Sequence, residues 1–262
     1  MTTPHGRVYL ERHGEVAEII IDRPAKLNGF TPQMLGDIAR AYTEYEHDPG
    51  LRCAVLAAAG PHFTAGLDLP AMAPVMAENG LLIPDGMVDP LMTRPPFRTK
   101  PVVAAVKGIT YTIGMELMLA ADIVIAADDC RFSQLEVKRG LMPTGGATLR
   151  FVERAGWGNA MLHLLTGDEF GPAEAYRCNF IQEIVPSGSE RDRAMAVARV
   201  IAAQAPLAVA ATLANARKAV WEGQAAAVAD FTPVQAGLLA SDDLKEGVRS
   251  FVEKRPARFS GR

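Results

Sequence analysis

Lys100-Pro-Val-Val-Ala-Ala-Val-Lys-Gly108, with Thr112-Ile-Gly-Met-Glu116 close behind it, is the stretch whose reading sets the architecture. Its apolar run ends in glycine and reads as a strand buried on both faces, and the second piece opens a helix. Downstream the pattern returns. Residues 122–126 and 131–134 read as extended pieces, and Leu135-Glu136 turns out of the second. Upstream, residues 8–22 alternate as a hairpin turning near His13-Gly14, and 23–29 form a loop. Thr31 followed by Pro32 predicts a capped helix to about residue 48. Residues 51–58 read as a buried strand and 60–66 as a glycine-bounded turn, with a short helix starting near Leu67.

The rest of the chain is less uniform. Residues 70–99 are rich in proline and methionine and predict an irregular loop or broken helices. Such a segment suits either an adaptable apolar pocket wall or a surface loop. Beyond Glu136 the spacing predicts a turn at 140–146 and helices at 147–155, 160–165 and 173–178. A strand at 181–185 follows, then alanine-rich helices at 194–205, 206–222 and 225–240. Beta-alpha alternation followed by a helical tail argues for a parallel-sheet core with a C-terminal helical element.

Composition narrows the function. The chain has 262 residues, 49% apolar and 22% charged, with a net charge of −3 and its basic residues scattered. That distribution offers no footprint for nucleic acid. No apolar run reaches the ~18–20 residues that a membrane helix needs. The N-terminus shows neither an apolar signal core nor an Arg-rich leader, which predicts a cytoplasmic protein. Cys53, Cys130 and Cys178 lack metal-type spacing and read as small buried hydrophobes, and the five histidines are dispersed, so no metal site is expected.

Two glutamates, Glu116 and Glu136, each sit beside a turn after a short apolar strand. If those strand ends lie side by side, both carboxylates face one small volume. Environments that split their pKa values would leave one ionised and the other protonated, which suits water addition across a double bond. Gly66-Leu67-Asp68 and Thr112-Ile113-Gly114 are the candidate anion sites, since each turn runs into a helix and leaves N–H groups unbonded. Alone, each turn reads better as an ordinary strand-to-helix connection, and each glutamate as a first-turn or strand-end residue.

Taken in order, the motifs resemble the crotonase, or enoyl-CoA hydratase/isomerase, superfamily. They are Asp22-Arg-Pro-Ala-Lys-Leu-Asn28, His62-Phe-Thr-Ala-Gly-Leu-Asp-Leu69, residues 100–108, Gly114-Met-Glu-Leu-Met-Leu-Ala-Ala-Asp122 and Phe132-Ser-Gln-Leu-Glu136. Gly140-Leu-Met-Pro143, Leu165-Thr-Gly-Asp168 and Gly247-Val-Arg-Ser-Phe-Val-Glu-Lys-Arg-Pro256 complete the series. The resemblance implies an α/β fold of the crotonase (ClpP-like) type: a spiral of ββα units over residues 1–190 and a C-terminal helical trimerisation region over 191–262. It implies a homotrimer or dimer of trimers.

The substrate implied is an acyl-CoA thioester, with coenzyme A arriving as part of it and no separate cofactor. Leu67 and Ile113 take the positions whose N–H groups hold an enolate. Lys26, Ala65, Gly66, Asp68 and Gly114 take positions along the substrate and its CoA portion. Glu116 and Glu136 match the acid–base pair of true hydratases. Two departures stand out. Thr112-Ile113-Gly114 replaces a glycine run, so that positive φ at Ile113 would be strained and its side chain would narrow the site. Leu135 replaces a proline. Hydration is the favoured expectation, with double-bond isomerisation next, then a non-catalytic acyl-CoA-binding protein or a structural assembly protein.

Overall fold

The computed structural model describes residues 5–79 and 83–262. Strands β1 (Arg7–His13) and β2 (Val16–Asp22) pair antiparallel from Arg7↔Asp22 to His13↔Val16, the hairpin expected. Gly14 makes its turn at φ +66°, where a Cβ is disfavoured. Helix α1 (Pro32–His47) starts as the sequence predicts, with Thr31 Oγ1 accepting the Met34 N–H and Pro32 in the first turn. Strands β3 (Cys53–Ala58), β4 (Val102–Val106), β6 (Ile123–Ala127) and β8 (Glu183–Val185) extend the sheet in the order β1-β2-β3-β4-β6-β8. Every pairing after the hairpin is parallel.

All residues of β3 and β4 are buried, because both faces of the sheet are covered. Ile19, Ile21, Leu56, Ala104, Val106 and Val124 join the main core with Met34, Leu35 and Ile38 of α1. Val16, Val55, Val103, Ala105 and Ile125 pack on Ala194, Met195 and Ala198 of helix α7 (Glu190–Ala202). Thus α7, which begins at residue 190, forms one wall of the sheet's second core.

A second, two-stranded sheet places the chemistry. Strand β5 (Ile109–Tyr111) runs parallel to β7 (Arg131–Ser133), with Tyr111 opposite Ser133. The sequence reading had no strand at 109–111, since three residues are too few for a periodic signal. Thr64 bridges Thr110 in parallel on the other edge of β5. The chain therefore repeats one unit: a strand in the large sheet, a short strand or bridge, then a helix. The repeats are β3–Thr64–α2 (Leu69–Asn79), β4–β5–α3 (Ile113–Ala120) and β6–β7–α4 (Ala147–Ala155), a ββα spiral of the kind anticipated. Residues 83–99 carry no helix or strand, in keeping with their proline content, and 80–82 of that segment lie outside the described residues.

Helices α5 (Trp157–Thr166) and α6 (Pro172–Arg177) precede β8. Helix α8 (Pro206–Glu222) is tied to the core by Arg217, whose Nη2 lies 3.1 Å from Asp122, and Asp122 also receives Arg98 Nη1 at 2.7 Å. The single helix expected over 225–240 is in fact two, α9 (Gln224–Ala229) and α10 (Phe231–Leu239). Pro233 has no N–H to give the carbonyl four residues back, so a continuous helix would leave that carbonyl unpaired. Helix α11 (Asp242–Glu253), absent from the sequence reading, is capped by Ser241 Oγ, which accepts the Leu244 N–H. No single helix among the described residues is long and apolar enough to cross a membrane. The pair that would suffice together, α7 and α8, is bent by 107°.

Candidate active site

The site is assembled where three short segments run side by side. Segment 27–30 lies along 64–68: Ala65 N–H donates to Leu27 O at 2.9 Å, Phe30 N–H to Gly66 O at 2.8 Å, and Asp68 N–H to Phe30 O at 2.9 Å. Asn28, fully buried, fastens this loop. Its Nδ2 donates to Ala59 O and His62 O, both at 2.8 Å, and its Oδ1 accepts the Arg23 N–H. Lys26 is therefore an exposed cation in the same loop that pairs with Ala65. Asp68 is engaged by Arg23 Nη1 at 2.8 Å, which gives it a part in holding the loop. On the other flank, Tyr111 N–H donates to Thr64 O and Thr64 N–H to Ile109 O.

Leu67 and Ile113 come together through this register. In the parallel bridge between Phe30 and Leu67, residues 66 and 68 make the bonds to Phe30, so the Leu67 N–H points the other way, toward the end of β5. Ile113 is the first residue of α3, and its N–H is one of the four that a helix leaves unbonded. Among the described residues neither N–H meets an acceptor. Gly66 sits at φ +112°, and a Cβ there would run into Thr112 Oγ1, so the two turns touch. Gly114 is equally close-packed: an added Cβ would lie 2.6 Å from Thr64 Cγ2.

The strain expected at Ile113 falls on its neighbour. Thr112 takes φ 51°, ψ −118°, a conformation unusual for any side chain with a Cβ, while Ile113 is helical. Thr112 N–H is anchored on Ser133 O at 2.9 Å, and its Oγ1 is buried without a hydrogen-bond partner. The Ile113 side chain is 3% exposed and belongs to the main core, so it fills the interior behind the turn.

The two carboxylates have contrasting surroundings. Glu116, in the first turn of α3 and buried, accepts the Gly145 N–H at 2.7 Å and the Ala147 N–H at 3.2 Å through one oxygen, Oε1. A Cβ on Gly145 would stand 2.5 Å from Glu116 Oε2, so a side chain there would push the carboxylate from its present place. Burial raises the Glu116 pKa, and the two N–H groups and the charge of Arg150 oppose that rise. Glu136 opens the 3-10 turn Glu136–Arg139 after β7, and its Oε2 is buried with no hydrogen-bond partner. Burial lifts Glu136 to about 7; its own backbone N–H works against the shift and the nearby charge of Glu116 adds to it. One carboxylate is thus secured by donors and the other is left poised to hold a proton near neutral pH.

Sequence reasoning missed the amides that hold Glu116. The adjacent Gly145 and Gly146 before a helix were the available signal, since such a turn leaves N–H groups for a buried anion. Gln134, 1% exposed with both amide atoms unpaired, was also passed over. Cys53, Cys130 and Cys178 are buried, free thiols, and burial pushes Cys53 up to about 12.

Comparison with known proteins places the chain in a family. The enoyl-CoA hydratase/isomerase family profile matches residues 11–262. Enoyl-CoA hydratase EchA19 of Mycobacterium tuberculosis is 33% identical over 257 residues, covering 97% of this chain and 96% of its own. Carnitinyl-CoA dehydratase of Proteus mirabilis is 32% identical over 260 residues, covering 97% and 98%. Among solved structures, a "probable enoyl-CoA hydratase/isomerase" from Mycobacterium abscessus superimposes with a TM-score of 0.94 at 48% identity, over 97% of this chain and 98% of that one. Enoyl-CoA hydratase from M. tuberculosis H37Rv does so with a TM-score of 0.86 at 33% identity, over 99% and 100%. The chain belongs to the enoyl-CoA hydratase/isomerase family, the crotonase superfamily.

Proposed function

We propose that this protein is a hydro-lyase that adds water across the 2,3 double bond of an enoyl-CoA thioester. The observation that carries the reading is the unequal carboxylate pair: Glu116 bonded to two backbone N–H groups, and Glu136 raised to about 7 with an unpartnered buried oxygen. The thioester oxygen accepts from Leu67 N–H and Ile113 N–H, which stabilise the enolate as charge moves onto it; one such donor is typically worth ~3–4 kcal/mol in the barrier. Glu116, as carboxylate, takes a proton from water as its oxygen attacks C3. Glu136, as the acid, delivers a proton to C2. Because the pair titrates together, its two apparent pKa values belong to both residues.

Lys26, exposed, and Ala65, partly exposed on the segment paired with its loop, suit the CoA portion, Lys26 as a cation for its phosphates. Coenzyme A is brought by the substrate and no further cofactor enters this scheme. The same reading takes the protein to be cytoplasmic and to assemble as a homotrimer or dimer of trimers. The names of its relatives, hydratase and dehydratase, support water addition or removal over bond migration. The isomerase alternative would use one glutamate to carry a proton between C2 and C4.

The test is loss of enoyl-thioester absorbance with crotonyl-CoA and a panel of longer and aromatic enoyl-CoAs, products being weighed by mass spectrometry. Gain of one water is expected. Glu116→Gln and Glu136→Gln should each lower kcat by about 10²–10⁴-fold while acyl-CoA affinity stays near wild type. Products of unchanged mass with a displaced double bond would replace hydration by isomerisation, and full activity in either variant would remove that residue from the chemistry.

A further inference from the structure

Arg150 stands in the second turn of α4, pointing back over the turn that starts the helix. Its Nη1 donates to Gly145 O at 3.1 Å, and its Nη2 donates to Leu91 O at 2.6 Å and Met92 O at 3.3 Å. Gly146 has φ +104°, and a side chain there would occupy the space that holds the guanidinium. Gly145 is the residue whose N–H binds Glu116 Oε1. One guanidinium therefore fixes the carbonyl of the glycine whose amide fixes the carboxylate, and it ties both to buried Leu91 and Met92 of the irregular segment. We propose that Arg150 is a positioning residue for the acid–base pair, clamping the Gly145-Gly146 turn so that Glu116 is held as an ionised base. This inference rests on the catalytic reading of Glu116 given above.

A planar fork with several donors suits a site that must hold carbonyls from two separate segments at once, and lysine would satisfy fewer of them. The electrostatics run in the same direction. The charged group acting on Glu116 is Arg150 from α4, and the one acting on Glu136 is Glu116. Those acting on Arg150 are Arg154 and Glu153 of its own helix, Asp89 of the irregular segment, and Glu116. Burial and then Arg154 draw Arg150 down to about 10, so it remains a cation at neutral pH and opposes protonation of Glu116. Removing the charge leaves the burial of Glu116 less compensated, and its carboxyl then protonates at higher pH.

The experiment compares wild type, Arg150→Met and Arg150→Lys. The Glu116 carboxyl is titrated by NMR in protein carrying ¹³C-labelled glutamate, its signal assigned by Glu116→Gln, and the pH profile of kcat/KM for crotonyl-CoA hydration is measured alongside. Arg150→Met should raise the Glu116 titration by about one pH unit, the scale of an adjacent opposite charge. The acid limb of kcat/KM should move with it. Arg150→Lys should restore the titration while kcat stays reduced, since charge returns without the fork. Circular dichroism and binding of a saturated acyl-CoA report whether Arg150→Met folds; if it does not, the Arg150→Lys titration and kcat decide the matter. An unmoved Glu116 titration in a folded Arg150→Met, or Arg150→Lys with wild-type kcat, overturns the inference. A Glu116 signal that shifts while the rate profile stays fixed leaves Arg150 as its holder and removes Glu116 from the chemistry, so the two readings fail separately.

Discussion

Glu136 keeps Oε2 buried and unpaired, whereas Glu116 has two amide donors on a single oxygen. Their difference has a consequence for stability that is separate from activity. The Glu136 carboxyl titrates near 4.5 when free and near 7 in the fold, so the folded state binds its proton more tightly than the unfolded chain does. The contribution is present in full below the free value and is lost as pH rises from about 4.5 to about 7. Glutamine carries no such charge. Glu136→Gln should therefore be more stable than wild type at pH 8 by ~2 kcal/mol, after discounting for partial exposure, and should show no titration-linked difference at pH 4. Chemical denaturation at the two pH values measures this, and an equal difference at both would show that ionisation of Glu136 is not what the fold resists.

At the scale of elements, the short β5–β7 sheet and the Asp122 network do the positioning. β5 aligns Thr112 with Ser133, which seats the start of α3, and the Thr64 bridge brings Leu67 to the same end. Behind them, Asp122 accepts Arg98 Nη1 and the Val102 N–H, and Arg217 of α8 pairs with its other oxygen. Burial alone would raise the Asp122 pKa; the Arg98 charge and hydrogen bond, followed by Arg217 and the Val102 N–H, bring it below the ordinary value. Arg98 is 1% exposed, so taking away its carboxylate strands a buried cation. Asp122→Ala should cost about 3–5 kcal/mol and should speed amide exchange in α8 above the rest of the sheet. Exchange in α8 that stays at the wild-type rate would mean that the helix does not depend on this tie. The motif Gly114–Asp122 was visible in the sequence, but the two arginines that use Asp122 come from positions 98 and 217, too distant for any local pattern to join.

At the scale of the whole molecule, the C-terminal helices are apolar without being buried. No residue of α8 or α10 is fully buried, although both are rich in alanine, valine and leucine. Trp221, Phe231, Leu239, Phe251 and Val252 are each more than half exposed. An apolar helix gains little by folding on a surface that leaves its apolar face in water, so such a face calls for a second protein surface. The proposed homotrimer or dimer of trimers supplies one, and light scattering coupled to size exclusion should give three or six times the 28.1 kDa chain mass. A mass of one chain at micromolar concentration would overturn it.

The long apolar runs, the capped start of α1 and the hairpin at Gly14 were legible in the chain itself, because each depends on residues near one another in sequence. The two glutamates stood out there only as candidates whose pairing hung on the fold. Propensity, capping and alternation act over a few residues, and they settle which segments become strands and helices. The three-residue β5 and the positive-φ backbone of Thr112 had no such local signature, whereas the break at Asp230 had one in Pro233. The partners of Glu116 had a local mark in Gly145-Gly146, but nothing local joined that turn to Glu116. Gly145 and Ala147 reach Glu116 from about thirty residues downstream, and Arg150 holds the Gly145 carbonyl, across a turn whose shape depends on close packing against the carboxylate and the guanidinium. Burial and proximity, which only the tertiary structure decides, are what turn two chemically identical side chains into one carboxylate fixed by amide donors and one acid titrating near 7.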